Sequence, residues 1–271
     1  MSACYLTFDV EDWFHAHNLR PQVDRDDWED CEFRVEKNVQ KILNLLDRYD
    51  TKATFFVLGW VADRIPAVVE AIVDGGHEVA SHGYNHELLY RQSVPELRRD
   101  FEQSLEALEP HIVGSIRGYR APSFSITDQA MEVLSQLGFE YDSSSFVNSF
   151  HHRYGELSAS VETDATTDDD DILEVQLQGL NILETEIPWA GGGYFRFIPY
   201  RMFRHGIRRI ADEGDYVFYL HPWELDPGQP RFEDLPLSYP IRHYTNLGAT
   251  ERRLERLLSD FDWQPMERAL D

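Results

Sequence analysis

Short apolar runs alternate with segments of helical periodicity through the first half of the chain, and this alternation restricts the fold more than any other feature. The apolar runs predict strands at residues 4–8, 53–57, 77–80, 116–120 and 139–142. Apolar residues recur at helical spacing in the intervening segments 35–49, 67–74, 93–108 and 127–138. Strands and helices in this order predict an α/β fold built on a parallel sheet or barrel.

The alternation breaks after Asp142. Residues 143–171 are rich in Ser, Thr and Asp and finish in four consecutive aspartates, 168–171, which indicates a solvated acidic loop. The run lacks the alternating ligand spacing of calcium loops. Beyond it we predict a hairpin from 172–175 and 182–188, a flexible turn at 191–193, a helix at 199–211, a last core strand at 216–220 and a helix at 250–258. No linker divides the chain, so we expect one domain over 1–271, with a core of about 1–225 and a C-terminal extension of about 226–271.

The charge balance argues against a nucleic-acid partner. Asp and Glu number 49 against 25 Lys and Arg, which gives a formal net charge of −24. A nucleic-acid partner is disfavoured, because phosphate binding needs a basic face. So large an acidic excess, with only three lysines, favours adaptation to high salt, where the repulsion is screened. An acidic protein of ordinary salt tolerance is the alternative.

Membrane and redox signals are weak. The sequence contains no long apolar span and no charged–apolar–small leader, so we expect neither a transmembrane segment nor a secretory signal. Two cysteines, Cys4 and Cys31, imply no disulfide framework and fit a reducing compartment. We therefore expect the cytoplasm or the inner membrane face; the oligomeric state is left open.

Two histidines four residues apart, His82 and His86, follow the third predicted strand. If the backbone makes one helical turn there, both rings can reach one cation. Three carboxylates, Asp9, Glu11 and Asp12, end the first strand. One of them would complete a three-ligand site with an open position for water, which is the form of a catalytic zinc site. On its own the pair is weak evidence, because unconnected surface histidines are more common.

Five titratable residues follow five different predicted strands, namely Asp9, His82, Arg120, Asp142 and His221. In (β/α) barrels the carboxyl ends of the strands form the face that carries the active site. Asp and Arg are seldom buried without partners. A shared pocket at this face therefore explains the pattern better than packing does.

Five motifs occur in order: TFDVED (7–12), SHGYNH (81–86), GYRAPSF (118–124), YDSS (141–144) and YLHPWE (219–224). Together they resemble the polysaccharide deacetylase family, also called NodB-homology or carbohydrate esterase family 4. The resemblance implies an irregular (β/α)7 barrel, here with a long acidic excursion and the C-terminal extension. It also implies metal-dependent removal of N- or O-acetyl groups from sugars.

More narrowly, three segments of the C-terminal half resemble the exosortase-associated branch of exopolysaccharide deacetylases. They are Gly191–Arg196, His221–Pro227 and His243–Asn246. This branch implies a carbohydrate substrate in exopolysaccharide or glycan assembly.

The family pattern implies roles for four of the strand-end residues. Asp9 matches the general base that deprotonates the metal-bound water, and Arg120 matches the arginine that orients it. His221 matches the general acid that protonates the departing amine. Asp142 lies where an acidic residue often supports that histidine, although this match is loose.

His82 and His86 match the family's metal-binding histidines, and one divalent ion is implied. Zinc is favoured for nitrogen and oxygen ligands with an open position, with Co²⁺, Ni²⁺ or Mn²⁺ as alternatives. Many relatives have adjacent aspartates, but Val10 fills the second position here, so the carboxylate ligand is Glu11 or Asp12. Glu11, two residues after Asp9, lies on the same side of an extended strand. Asp12 is possible if the chain turns sharply.

Two further positions depart from the family pattern. Gly83 replaces the hydroxyl residue that usually follows the first histidine, which removes a hydrogen bond that would make the loop rigid. Ser123 replaces an aromatic residue of the sugar groove, and a backbone N–H near it is a candidate for stabilising the developing oxyanion. The candidates for a sugar-stacking face are then Phe124, Trp13, Tyr84 and Trp223.

Two other functions stay open. A related amidohydrolase would act on a small non-sugar C–N amide, and an inactive protein would only bind carbohydrate. The aromatic residues near the motifs favour sugar, and the complete set of base, ligands and acid disfavours the inactive protein.

Overall fold

The computed structural model describes residues 2–146, 172–182, 185–232, 235 and 238–271. The predicted acidic run at 168–171 lies outside the described residues. The strands are β1 (Cys4–Val10), β2 (Thr54–Val57), β3 (Glu78–Ser81), β4 (Gly118–Tyr119), β5 (Tyr141–Asp142), β6 (Leu173–Glu174), β7 (Gly179–Ile182), β8 (Thr185–Pro188) and β9 (Tyr216–Leu220). The α-helices are α1 (Val35–Arg48), α2 (Gly59–Arg64), α3 (Pro66–Asp74), α4 (Val94–Leu108), α5 (Asp128–Gln136), α6 (Gly192–Phe197), α7 (Tyr200–Ala211), α8 (Ser238–Tyr244) and α9 (Leu247–Asp260).

Seven of the strands form one parallel sheet in the order β6-β5-β4-β3-β2-β1-β9. The interior strands β1 and β2 are buried on both faces and mostly apolar, as expected for parallel strands covered on both sides. Strands β6 and β9 are the two edges in the described part of the chain, so the barrel is incomplete. The predicted α/β class and (β/α)7 barrel-like fold are confirmed.

Local signals in the sequence fix the helix starts. Ser93 and Glu96 form a capping box at the start of α4. The hydroxyl of Thr127 accepts a hydrogen bond from the amide of Ala130 and caps α5. Helix α1 turns one face inward, with Val35, Val39 and Ile42 buried in the main core.

Two predictions beyond Asp142 are wrong. Strand β6 does not belong to a hairpin, because it pairs with β5 in the main sheet. The hairpin forms instead between β7 and β8, which are antiparallel. Residues 192 and 193 begin α6 and are not a flexible turn. Apolar runs identify strands but do not identify their pairing partners, which is why the predicted hairpin joined the wrong strands.

The chain returns to its first strand twice. Strand β9 pairs with β1 from Cys4 to Phe8, and near the C-terminus the amide of Gln264 donates to the Cys4 carbonyl at 3.0 Å. The carboxyl end of β1 therefore lies beside that of β9, although the two strands are about 210 residues apart in the sequence.

No helix among the described residues is both long and apolar enough to cross a bilayer.

Candidate active site

Four predicted residues meet at the carboxyl ends of neighbouring strands. Asp9, His82 and His221 line one cavity of about 290 Å³, and Arg120 contacts Asp9 beneath it. Because β1, β3, β4 and β9 are parallel members of one sheet, their carboxyl ends lie at one edge.

Asp9 and Arg120 form a buried ion pair. Nη1 of Arg120 donates to Oδ1 of Asp9 at 2.8 Å, and both side chains are almost fully buried. Three of the four remaining N–H donors of the guanidinium are occupied, because they reach the Thr7 hydroxyl at 2.7 Å and the Ser143 carbonyl and hydroxyl at 2.9 and 3.0 Å. The Asp9 carboxylate is therefore held in one orientation, with Oδ2 facing Nε2 of His221 at 3.9 Å.

Glu11, His82 and His86 form a buried three-ligand group whose ligand atoms all lie within 4.8 Å of one another. Oε1 of Glu11 is 3.2 Å from Nε2 of His82 and 2.8 Å from Nε2 of His86. Burial raises the pKa of the Glu11 carboxyl, but the charges of His86 and His221 and the hydrogen bonds of His82 and His86 lower the pKa well below its usual value.

The donor chemistry of this group fits a cation. Nδ1 of His82 lies 2.8 Å from the Arg120 carbonyl, and a carbonyl only accepts, so Nδ1 carries the proton of the neutral ring. Nε2 then directs its lone pair at the Glu11 carboxylate. This arrangement needs a cation between Nε2 and Glu11, either the proton of their hydrogen bond or a metal ion. A histidine fixed through its other nitrogen is the usual arrangement of a metal ligand.

The loop that carries the two histidines is not helical, so the helical turn that was named as a condition for a shared cation is absent. Gly83 and His86 have left-handed backbones, with φ of 72° and 52°. The Asp100 carboxylate on α4 accepts from the amides of Tyr84 and Asn85 at 2.9 and 3.0 Å. Asp100 therefore fixes a reversal of the backbone that brings both rings to Glu11.

Asp12 does not join the three-ligand group. Its Oδ1 accepts from the Trp13 amide at 2.8 Å, and its Oδ2 accepts from the amides of Arg34 and Val35 at 2.6 and 2.9 Å. The Asp12 carboxylate thus satisfies free amides at the start of α1. Burial raises the pKa of Asp12 to about 6. Of the two carboxylates predicted as alternative ligands, Glu11 is the one that reaches the histidines.

His221 lies opposite the ion pair and is oriented by Glu224. Nδ1 of His221 donates to Oε1 of Glu224 at 2.9 Å, and Nε2 lies 3.8 Å from Oε1 of Glu11. Burial lowers the pKa of His221, but Glu11, Glu224 and Asp9 outweigh it and raise the pKa to about 9.

Asp142 does not support His221, contrary to the role that the family pattern suggested. Its carboxylate accepts from the amide and hydroxyl of Ser144 at 2.9 and 2.7 Å. Burial and the nearby Glu174 raise the pKa of Asp142 well above its usual value. Among the described residues the carboxylates that approach His221 are those of Glu224, Asp9 and Glu11, and Asp142 is not one of them.

Three of the five predicted sugar-contacting residues line the cavity, namely Ser123, Phe124 and Trp223. Ser123 and Phe124 have left-handed backbones, with φ of 52° and 58°. Trp13 is buried, and its indole N–H donates to the Glu32 carbonyl at 3.0 Å. Tyr84 donates its hydroxyl to Asp63 at 2.6 Å. Neither Trp13 nor Tyr84 belongs to the described lining of the cavity.

Sequence reasoning missed two buried charged residues of the cavity wall, Glu224 and Arg196. Both stand inside the motif segments YLHPWE and GGGYFR. A carboxylate three residues after a strand-end histidine was the available signal for Glu224. No signal in the sequence joins Arg196 to it.

A family model described as polysaccharide deacetylase matches residues 2–141, which is 140 of the 271 residues and just over half of the chain. This chain belongs to the polysaccharide deacetylase family. A second model, described only as a domain of unknown function (DUF3473), matches residues 143–271.

Curated relatives and solved structures agree with this family. The chain is 28% identical over 172 residues to a peptidoglycan deacetylase of Helicobacter pylori, an alignment that covers 63% of this chain and 58% of that protein. It is 35% identical over 99 residues to a peptidoglycan-N-acetylglucosamine deacetylase of Bacillus cereus, which covers 36% of this chain and 32% of that protein. The chain thus spans less than two thirds of each of these relatives.

Two solved structures share the fold. A family 4 carbohydrate esterase from Streptomyces lividans superposes with a TM-score of 0.53 at 15% identity, covering 97% of this chain and 91% of that one. A pseudoenzyme of carbohydrate esterase family 4 from Bacillus anthracis superposes with a TM-score of 0.57 at 15% identity, covering 100% of this chain and 66% of that one. At these identities the likeness is one of fold alone.

Proposed function

We propose that this protein removes acetyl groups from N-acetylated sugars of a polysaccharide, glycan or glycan precursor, with a divalent metal ion. One observation carries the proposal. The three-ligand group of Glu11, His82 and His86 lies directly beside a carboxylate and an imidazole, since Nε2 of His221 is 3.8 Å from Glu11 and 3.9 Å from Asp9.

Glu11, His82 and His86 would hold the metal, and two neutral imidazoles with one carboxylate suit Zn²⁺. When bound, such an ion lowers the pKa of water to about 7 and polarises an acetyl carbonyl. The Arg120 carbonyl favours metal binding, because it fixes the ring of His82 through Nδ1.

Asp9 is the proposed general base. Its Oδ1 is held by Arg120, so Oδ2 takes the proton as the oxygen of water attacks the acetyl carbon. His221 is the proposed general acid, which gives the proton on Nε2 to the departing nitrogen when the C–N bond breaks. The products are acetate and a free amine. Ser123 and Phe124 line the same cavity. The Phe124 N–H donates to the Ala121 carbonyl at 2.9 Å, so the N–H of Ser123 is the proposed donor to the oxyanion.

Two observations favour a sugar substrate. Phe124 lines the cavity and offers an apolar surface to a sugar ring, whereas both faces of Trp223 are covered by His221 and His243. The Bacillus cereus relative is named as an N-acetylglucosamine deacetylase. A small non-sugar amide needs no such surface, and it remains the second outcome of the test.

Acetate release from N-acetylglucosamine oligomers and from small amides tests the proposal, with added Zn²⁺ and with chelator. We expect release from the oligomers that chelator abolishes. Elemental analysis of the wild type and His82→Ala should show metal only in the former. Release from small amides alone would support the amidohydrolase, and release from neither would support an inactive binding protein.

The roles of base and acid need two variants, Asp9→Asn and His221→Ala. Each should lower kcat by at least about 10²-fold, because general acid–base groups contribute about 10²–10⁴-fold. Both should keep their metal, since neither residue belongs to the three-ligand group. Folded, metal-loaded variants with near-normal turnover would contradict the mechanism.

A further inference from the structure

Glu224 uses both carboxylate oxygens inside the protein. Oε1 accepts from Nδ1 of His221 at 2.9 Å, and Oε2 pairs with Nε of Arg196 at 3.3 Å. Glu224 is 2% exposed and Arg196 is 1% exposed. A buried carboxylate that faces two cationic donors is held in one rotamer, because leaving either contact would leave a buried charge unpaired.

Arg196 is anchored in turn by the C-terminal end of α8. Its Nη1 donates to the carbonyls of His243 and Thr245 at 3.0 and 2.6 Å, and its Nη2 donates to the carbonyl of Arg242 at 2.9 Å. The last carbonyls of a helix have no partner within the helix. Arg196 satisfies these carbonyls and presents its Nε–H to Glu224.

The backbone of α6 leaves room for this arrangement. A Cβ atom on Gly192 would come within 1.7 Å of Oε2 of Glu224. Any side chain at 192 would therefore expel the carboxylate from its position between Arg196 and His221. Glycine is required at 192 because the Glu224 carboxylate lies so close to its Cα. The backbone conformation is not the reason, since φ at Gly192 is not positive.

Ring stacking is a second contact that holds His221, and it involves Trp223 and His243. Trp223 lies between two parallel rings, with centroids 5.1 Å from His221 and 4.3 Å from His243. His243 donates from Nε2 to Oε1 of Gln229 at 2.7 Å, and the amide group of Gln229 donates to the Trp223 carbonyl at 2.9 Å. The imidazole of His221 is thus fixed on one face as well as at Nδ1.

We propose that Arg196 and Glu224 are positioning residues for His221, and that holding this acid in place is one task of the segment that matches a domain of unknown function. Arg196, Glu224 and the carbonyls of α8 all belong to that segment, residues 143–271. The inference rests on the role of His221 in the proposed function. It assigns to this segment a part of the catalytic machinery that the matched family region, 2–141, does not contain.

A purely structural ion pair is the competing explanation. Breaking a buried pair destabilises a protein, and such a loss would lower the melting temperature without changing turnover per folded molecule. A positioning pair acts through the proton transfer of His221, so its loss should lower kcat while KM stays near the wild-type value.

The first comparison uses Arg196→Met, Glu224→Gln and the control Arg253→Met. Arg253 donates to the carbonyls of Phe195, Arg196 and Ile198, and it makes no contact with Glu224 or His221 among the described residues. All three variants should melt at lower temperature. We expect a loss of kcat of about 10-fold or more in Arg196→Met and Glu224→Gln, and a kcat close to wild type in Arg253→Met. Glu224→Gln has the shape of the native residue and carries the test if Arg196→Met does not fold.

The deciding measurement is a double-mutant cycle with His221→Ala. If Arg196 and Glu224 act through the imidazole, adding Glu224→Gln to His221→Ala should cause no further loss of kcat. Equal losses of kcat from Glu224→Gln in both backgrounds would overturn the inference. So would an unchanged kcat in Glu224→Gln while His221→Ala alone is impaired. An unchanged kcat in His221→Ala itself would instead contradict the proposed function, so the two failures are distinguishable.

Discussion

A Cβ atom on Gly83 would lie 2.9 Å from Oδ2 of Asp100. The Asp100 carboxylate can therefore stay in its place only because residue 83 has no side chain. Asp100 is 4% exposed and accepts from two successive amides of the loop that carries His82 and His86. Gly83 has no hydroxyl that could hold the loop, and the Asp100 carboxylate holds it instead.

Asp100→Ala should weaken metal binding by about 10–100-fold, the usual cost of losing a residue that orients metal ligands. Removing the carboxylate frees the loop at Tyr84 and Asn85, so His86 no longer keeps its place beside Glu11. The measurement is the Zn²⁺ dissociation constant by competition with a chelator. Asp63→Ala is the control, because Asp63 is exposed and contacts only the hydroxyl of Tyr84 in this loop. Equal zinc affinity in both variants and the wild type would contradict the role of Asp100.

The elements that sequence predicted best are those whose signals are local. Strand β9 occupies the predicted residues 216–220. Its uninterrupted apolar run is the pattern of a parallel strand buried on both faces, so the run itself marks the strand. The capping box at Ser93 likewise depends on neighbours three residues apart. Asp9, His82 and His221 could be assigned to one pocket because strand ends of a parallel sheet share an edge.

The errors arise where the decisive contact is not local or a short turn is not recognised. Glu224 stands in a 3-10 helix, Pro222–Leu225, and side chains three apart in such a turn lie on the same side. This geometry brings Glu224 to His221, and apolar periodicity cannot reveal it. The need for glycine at 192 is likewise set by Glu224, 32 residues later.

Several expectations stay predictions. Among them are the single domain over 1–271, the resemblance to the exosortase-associated branch, the adaptation to high salt and the location in the cytoplasm or at the inner membrane face. The first is supported by β6 and β9, which lie in the second matched segment and pair with β5 and β1 of the first.

The identity of the carboxylate ligand can be tested with two isosteric variants. Glu11→Gln should lose metal, because Oε1 of Glu11 is the oxygen that reaches both histidines. Asp12→Asn should keep metal but lower the free energy of unfolding by about 1 kcal/mol, as expected for a weakened cap at the start of α1. Metal content by elemental analysis and melting curves on both proteins decide the matter. Loss of metal in Asp12→Asn with retention in Glu11→Gln would reverse the assignment.

Salt should stabilise the folded state. The formal net charge of −24 produces self-repulsion in the folded chain. The Debye length falls from about 10 Å at 0.1 M to about 3 Å at 1 M salt, so screening should relieve most of this repulsion over that range. We expect the melting temperature to rise as KCl is added, with sucrose as the uncharged control. A melting temperature that stays constant or falls with KCl would remove the high-salt interpretation.

His243 should make stability depend on pH at the acidic side. It is fully buried against Trp223, and burial, with the nearby Arg196 and His221 charges, lowers its pKa from the usual 6.5 to about 3. The folded state therefore binds this proton less tightly than the unfolded chain does. The stability that comes from the neutral ring is present in full above pH 6.5 and is lost as the pH falls towards 3.

We expect the wild type to lose about 2 kcal/mol of unfolding free energy through this group between about pH 7.5 and pH 4.5. His243→Phe keeps a ring that can stack on Trp223 but loses the hydrogen bond to Gln229, so it should be less stable at neutral pH and show a smaller decline in acid. His205→Asn is the control, because His205 is exposed on α7, and it should show the wild-type decline. Denaturant unfolding of the three proteins with chelator present isolates the effect from the metal ligands. The same decline in His243→Phe as in the wild type would mean that the buried ring does not set the acid limit, and the loss would then belong to other buried groups such as His77, whose pKa burial lowers to about 4.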